Sequence, residues 1–204
     1  MVTEIRIYVE GGGDSADTKQ FLREGFSTFL KELNSKARDK RIRWHLVMCG
    51  GRVATIDAFR TAIHQHVEAF NVLLVDSESA VQATPWQHLQ ARREWGDEHP
   101  HDDHCQFMTQ AMEAWFVADI EALSRFYRQG FRGNAIPGYP DVEQIPKDDL
   151  EPCLRNATHD TTKGEYHKGR HAWKLLKIID PHKVRRASRH CKRLFDTLTS
   201  KLET

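Results

Sequence analysis

Short apolar runs alternate with longer amphipathic stretches through the first 76 residues. Residues 5–9 (IRIYV), 44–48 (WHLVM) and 72–75 (VLLV) are apolar and partly β-branched, which predicts strands buried in a sheet. Between the first two, Phe21, Leu22, Phe26, Phe29, Leu30 and Leu33 recur at helical spacing behind Asp17 or Thr18 as a cap. Ile56, Phe59, Ile63 and Val67 predict a buried helical face over residues 55–70, and the charged run 36–41 reads as a surface loop. Glycines at 11–13 and 50–51 supply the turns after the first two strands. This β-α-β-α-β order predicts an α/β fold with a parallel sheet and right-handed crossovers.

The pattern loosens after Glu78. Residues 85–95 predict a short helix, 96–104 (GDEHPHDDH) an exposed loop and 105–109 a fourth strand. Residues 110–127 predict one continuous helix, whose Met112, Trp115, Phe116, Leu123 and Phe126 pack on the sheet and fix Glu113. The segment 130–145, with Gly133, Pro137, Gly138 and Pro140, reads as irregular. Helices are predicted over 147–156, 170–179 and 183–202. The chain therefore divides into a core, 1–128, and an irregular segment plus basic helical extension, 129–204, packed on that core.

Charge sharpens this division. The net charge is +1, which argues against a wholly basic binder, yet residues 163–204 hold 12 Lys/Arg against four Asp/Glu. The first 162 residues then carry −7. The four cysteines form no CxxC pair, and no apolar run approaches the roughly 20 residues of a membrane span. With no signal-like N-terminus, the expectation is a soluble, cytoplasmic protein with reduced thiols and no membrane partner.

Candidate chemistry sits where strands end. VEGGGD carries Glu10 and Asp14, LLVDSES carries Asp76 and Glu78, and MEAWFVAD carries Glu113 and Asp119. Ligands of open α/β sheets bind outside the carboxyl ends of the strands, so these acids are expected to converge there. Asp76 and Glu78, two apart, would face one side of an extended backbone. Carboxylates so gathered suit magnesium, completed by water and phosphate oxygens. The account fails if the acids scatter, or if each is locked onto an arginine or lysine. Arg52, after the second strand, is placed to contact a phosphate. Lys163, Lys168, Arg170 and His171 are expected to track a nucleic-acid backbone.

A strand ending in VEG, a later one ending in DxE and a downstream helix acid resemble the Toprim domain of topoisomerases, primases and OLD-type nucleases. MEAWFVAD is similar to the helix of RloB-like proteins. CGGR (49–52) and KGEYHKGRHAW (163–173) resemble an uncharacterised Toprim-like family often found beside AAA-type ATPases. The resemblance implies a Toprim-like parallel sheet and hydrolysis of DNA or RNA with magnesium or manganese, by an effector working with an ATPase in anti-phage defence. It assigns Glu10 as metal ligand or general acid/base, Asp76 and Glu78 as the DxD-type pair with glutamate in second place, and Glu113 as the helix acid. It equally allows a non-catalytic, ATPase-binding or regulatory subunit.

Two other patterns compete. Gly11, Gly13 and Ala16 spell the dinucleotide fingerprint GxGxxA, but Glu10 and Asp14 would oppose a pyrophosphate. His99, His101, Asp103 and His104 spell HxHxDH, which resembles the zinc signature of metallo-β-lactamase-type hydrolases. The apolar strand that should precede that signature is replaced by REWGDE.

Overall fold

The computed structural model describes residues 2–13 and 15–203, so Asp14 of the first acidic cluster lies outside the described residues. Four parallel strands, β1 (Glu4–Glu10), β2 (Arg43–Gly50), β3 (Phe70–Asp76) and β4 (Cys105–Met108), lie in the order β2-β1-β3-β4. The chain leaves β1 for β2 on one side, then crosses back to place β3 on the other. Tyr8 pairs with Leu73, and Val9 with Leu74.

Right-handed crossovers in opposite directions put their helices on opposite faces of a sheet. Helix α1 (Ala16–Phe29), capped by Ser15, buries Leu22, Phe26 and Phe29 with Ile5, Ile7, Val9, Val72 and Leu74. Helix α3 (Arg52–Gln65) buries Ile56 and Phe59 with Tyr8, Leu73 and Val75 on the other face. The period of two along β1 and β3 assigns these residues to faces; β3 is buried throughout, whereas β1 sets Ile5, Ile7 and Val9 on one face and Glu4, Arg6, Tyr8 and Glu10 on the other. That second face is completed by Trp86 and Leu89 of α4 (Pro85–Ala91).

Several boundaries differ from expectation. Between α1 and β2 the run 36–41 is mostly helix, since α2 (Lys31–Asp39) buries Leu33 and Ala37 and carries its charge outward. Phe70 belongs to β3, and Val67 is exposed. The helix expected over 110–127 is two, α5 (Glu113–Val117) and α6 (Ile120–Tyr127). Asp119 breaks it, because its carboxylate caps the Ala122 amide and also takes the Asp180 amide and the Lys183 ammonium. The final helix divides likewise, after α7 (Lys147–Thr158) and α8 (Lys168–Leu176), into α9 (Pro181–Ala187) and α10 (Arg189–Glu203). Ser188 at that break turns its hydroxyl inward to Glu143 at 2.6 Å.

Leu175, Leu176, Leu194 and Leu198 of α8 and α10 share one apolar cluster with Ile5 and Phe26, so residues 129–204 complete a face of the core. Arg193 of α10 donates to the Cys105 and Asp102 carbonyls, which covers the open edge of β4. The charge asymmetry finds its reason here. Lys177 pairs with Glu24, Lys183 with Asp119 and Glu121, Arg185 with Glu32, and Lys201 with Asp103. Much of the basic tail thus neutralises the acidic core. All four cysteines are free, and no helix among the described residues is long and apolar enough to cross a membrane.

Candidate metal centre

β1 ends at Glu10 and β3 at Asp76, and these strands are neighbours, so the two carboxylates meet at one edge of the sheet. The Asp76 amide donates to Glu10 Oε2 at 3.1 Å. Arg52, the first residue of α3, donates to the same oxygen at 3.0 Å and to the Asp76 carbonyl at 2.6 Å. Its remaining nitrogens reach Glu94 at 2.9 and 2.6 Å. The guanidinium is thus engaged by two carboxylates and a carbonyl. Arg52, expected at a phosphate, is placed by the structure as a brace that fixes Glu10.

Glu78 joins these acids through a turn. Its φ of +68° lies in a region non-glycine residues rarely enter, and its amide is anchored on the Gln110 carbonyl at 2.9 Å. The extended backbone expected for Asp76 and Glu78 is therefore absent, and the turn itself carries Glu78 back beside Asp76. One oxygen from each of Glu10, Asp76 and Glu78 lies within 4.8 Å of the others.

The hydrogen bonding is divided between the oxygens of each acid. Glu10 spends Oε2 on Arg52 and the Asp76 amide, Asp76 spends Oδ1 on the Met112 amide at 2.9 Å, and Glu78 spends Oε1 on Lys147. Among the described residues the second oxygen of each accepts no hydrogen bond. Three converging, half-used carboxylates form an all-oxygen donor set of the kind that hard divalent cations take.

Glu113 is different. Tyr166 donates to its Oε1 at 3.0 Å, and the Lys168 ammonium lies 3.2 and 3.3 Å from its two oxygens. Both oxygens are occupied, and Glu113 does not join the three-acid group. The structure thus sets the expected ligand Glu113 outside the group of three and on Lys168 and Tyr166, where it orients the Lys168 ammonium. Trp115 and Phe116 are fully buried, as expected, with Trp115 stacked on Phe29 at 4.9 Å.

Burial sets the electrostatics. It lifts the Asp76 carboxyl to about 7; the nearby Lys168 charge opposes the rise, and Glu10 and Glu113 add to it. Burial also raises Glu10, against the pull of Arg52. For Lys168 burial favours the neutral amine, but Glu113 and Asp76 outweigh it and hold the ammonium above the usual lysine range. Glu10, Glu78 and Glu113 each have a cationic neighbour, whereas Asp76 has no direct ion pair among the described residues.

Glu10 and Asp76 open into a cleft of about 380 Å³ between the starts of α1, α3 and α8. Its walls are Gly11–Gly13, Gly50, Gly51, Leu22, Ala172 and Trp173, with Lys168 reaching in. A crevice at the carboxyl ends of two strands whose connections run opposite ways is where open α/β sheets bind ligands.

Other expected residues lie elsewhere. His171 is buried, takes a 3.0 Å contact from the Tyr127 hydroxyl, and is pushed down to about 4 by burial and then by the Lys174 and Arg170 charges. It is a neutral interior imidazole, which corrects its expected contact with a nucleic-acid backbone. Lys163 sits over the Phe126 ring at 4.8 Å, and Arg170 is exposed on the first turn of α8. The HxHxDH residues do not assemble. His99 stacks on Trp86, His104 bonds the Asn71 carbonyl at 2.6 Å, and Asp103 pairs with Lys201. His101 is exposed and turned to Asp103. The zinc-site expectation is corrected accordingly.

Glu94, Lys147 and Tyr166 complete the centre and went unmarked in the sequence. Each is brought in across the fold, from 42, 69 and 53 residues away. Tyr166 and Lys168 do lie inside KGEYHKGRHAW, the one signal that pointed toward them.

The sequence model of the family described as "Domain of unknown function (DUF4276)" matches residues 9–199. The chain belongs to that family. The DUF4276 span takes in Glu10, Asp76, Glu78 and Glu113 together with Lys147, Tyr166 and Lys168. No curated protein and no solved structure matches the chain.

Proposed function

We propose that this protein is a Toprim-like nuclease hydrolysing phosphodiester bonds of DNA or RNA with magnesium or manganese held by Glu10, Asp76 and Glu78. One observation carries the reading: Glu10 from the end of β1 and Asp76 and Glu78 from the end of β3, each with a single oxygen left unbonded among the described residues, converge, and Glu10 and Asp76 line a cleft. A divalent ion bound there supplies Lewis-acid stabilisation of phosphoryl charge and an activated water. The chain's own part is positional. Arg52 and the Asp76 amide hold Glu10, the Met112 amide holds Asp76, and Glu113 with Tyr166 holds the Lys168 ammonium at the cleft wall. That ammonium is placed to attract a phosphate entering the cleft. An AAA-type ATPase partner and a defence role belong to this proposal through the sequence resemblance alone.

A second reading, a non-catalytic subunit that keeps the shell, is favoured by the pairing of Glu10, Glu78 and Glu113 with Arg52, Lys147 and Lys168. Incubation of plasmid, single-stranded DNA and tRNA with magnesium or manganese separates the two. Nuclease function predicts cleavage that Glu10→Ala and Asp76→Ala abolish. Cleavage unchanged in both variants excludes this centre, and none from the wild type supports the second reading.

A further inference from the structure

The cation-binding oxygens do not lie on a convex surface. Asp76 is 6% exposed, and the Glu10 side chain 15%. A phosphodiester that reaches them must descend into the cleft, whose volume of about 380 Å³ is that of a small-molecule site. A double helix presents its phosphates on a cylinder whose major groove alone is about 12 Å wide, and such a body cannot enter. One nucleotide can.

The walls are divided in chemistry as a nucleotide is. Lys168, Glu10 and Asp76 give the lining its charged groups, and Leu22, Ala172 and Trp173 give it apolar ones. Gly51 also lines the cleft, and it is a glycine the fold does not demand. Its φ of −71° suits any residue, and a Cβ built there would meet nothing within 4 Å. It is also the N-cap of α3 and gives that helix no side-chain acceptor. Gly50, by contrast, needs its φ of +94° and would press a Cβ to 2.8 Å from the Gly13 carbonyl. Bareness at Gly51 therefore serves the cleft, because it lets a ligand approach the backbone.

We propose that the cleft seats a single unpaired nucleotide, so that the substrate is single-stranded nucleic acid, with the phosphate toward Lys168 and Gly51 and the base along Leu22, Ala172 and Trp173. This rests on the nuclease reading for its chemistry, but its own test is binding. Gly51→Ser is the informative variant. Serine is a better N-cap than glycine, so the fold is kept while a side chain is added at a residue that lines the cleft and its hydroxyl takes an amide at the start of α3.

The experiment follows fluorescence anisotropy of a labelled short oligonucleotide, as DNA and as RNA, single-stranded and annealed to its complement, in chelator and again in calcium. The proposal expects the single strand to bind about tenfold or more tightly than the duplex in either condition. It expects Gly51→Ser to lose about tenfold in affinity with its Tm unchanged or raised. Equal or tighter duplex binding in both conditions, or wild-type affinity in Gly51→Ser, overturns it. Duplex cleavage insensitive to Gly51→Ser would remove the cleft assignment and leave hydrolysis standing. Single-strand binding without cleavage in magnesium would do the reverse. The DNA and RNA arms identify which polymer supplies the nucleotide.

Discussion

The amide of Asp76 is bonded to the carboxylate of Glu10 at 3.1 Å, so one acid at the end of β1 fixes the backbone that presents another at the end of β3. The pair is held together by backbone as much as by side chains. Electrostatic cost is concentrated on Asp76, which is buried beside Glu10 and Glu113 with only an amide donor in direct contact.

That cost predicts a stabilising substitution. A carboxyl whose folded pKa is raised favours its protonated form, so it weakens the fold as pH rises through the folded value, here about 7. Asp76→Asn keeps the oxygen that accepts from Met112 and removes the charge. In chelator at alkaline pH it should be more stable than wild type by about 1–2 kcal/mol, with the gap closing in mild acid. Thermal melts across pH measure this, and a lowered Tm at alkaline pH would count against a strained carboxylate.

Lys168 predicts the opposite behaviour. Lys168→Met leaves Glu113, whose side chain is 4% exposed, with Tyr166 as its remaining partner. A loss of about 1–3 kcal/mol is expected, below that of a fully enclosed pair because the lysine stem is half open to solvent. Chemical denaturation of the variant beside Lys168→Met/Glu113→Gln tests the coupling. The double variant should recover part of the loss.

Glu143 governs the acid limb of stability. It is buried, and although burial opposes ionisation, bonds from His190 and Ser188 hold its carboxyl below the ordinary value of 4.5. A depressed carboxyl contributes stability above its unfolded pKa, and this is lost as pH falls through the folded one. Wild type should therefore lose stability below about pH 4.5 more steeply than Glu143→Gln. Equal slopes in acid melts would show that this cluster is not the source.

The sheet was legible because its strands are short runs rich in apolar residues, β1 and β2 end at glycines, and the full burial of β3 and β4 leaves such runs little alternative. The meeting of Glu10 and Asp76 was legible from their place at strand ends, whereas Glu78 reaches them through a turn where an extended backbone was expected. Glu113 was found but its use was not, since Tyr166 and Lys168 lie 53 and 55 residues downstream. The breaks at Asp119 and Ser188 were hidden for a similar reason. Both residues sit in strongly periodic helical sequence, and each is stopped by a tertiary partner, Lys183 or Glu143. His171 looked like part of a basic stripe, whereas the helical period turns it inward to Tyr127.

The histidine loop gives a prediction of silence. His101→Ala removes an exposed ring that touches only its own loop among the described residues. Zinc content by elemental analysis should be negligible in wild type and unaltered in the variant. Stoichiometric zinc lost on substitution would restore the loop as a site.

Manganese binding by titration calorimetry reaches the centre most directly. Wild type should bind the ion at a defined stoichiometry, and Asp76→Asn and Glu78→Gln should each weaken it by about tenfold or more. Undiminished binding in both variants would contradict a cation shared by Glu10, Asp76 and Glu78.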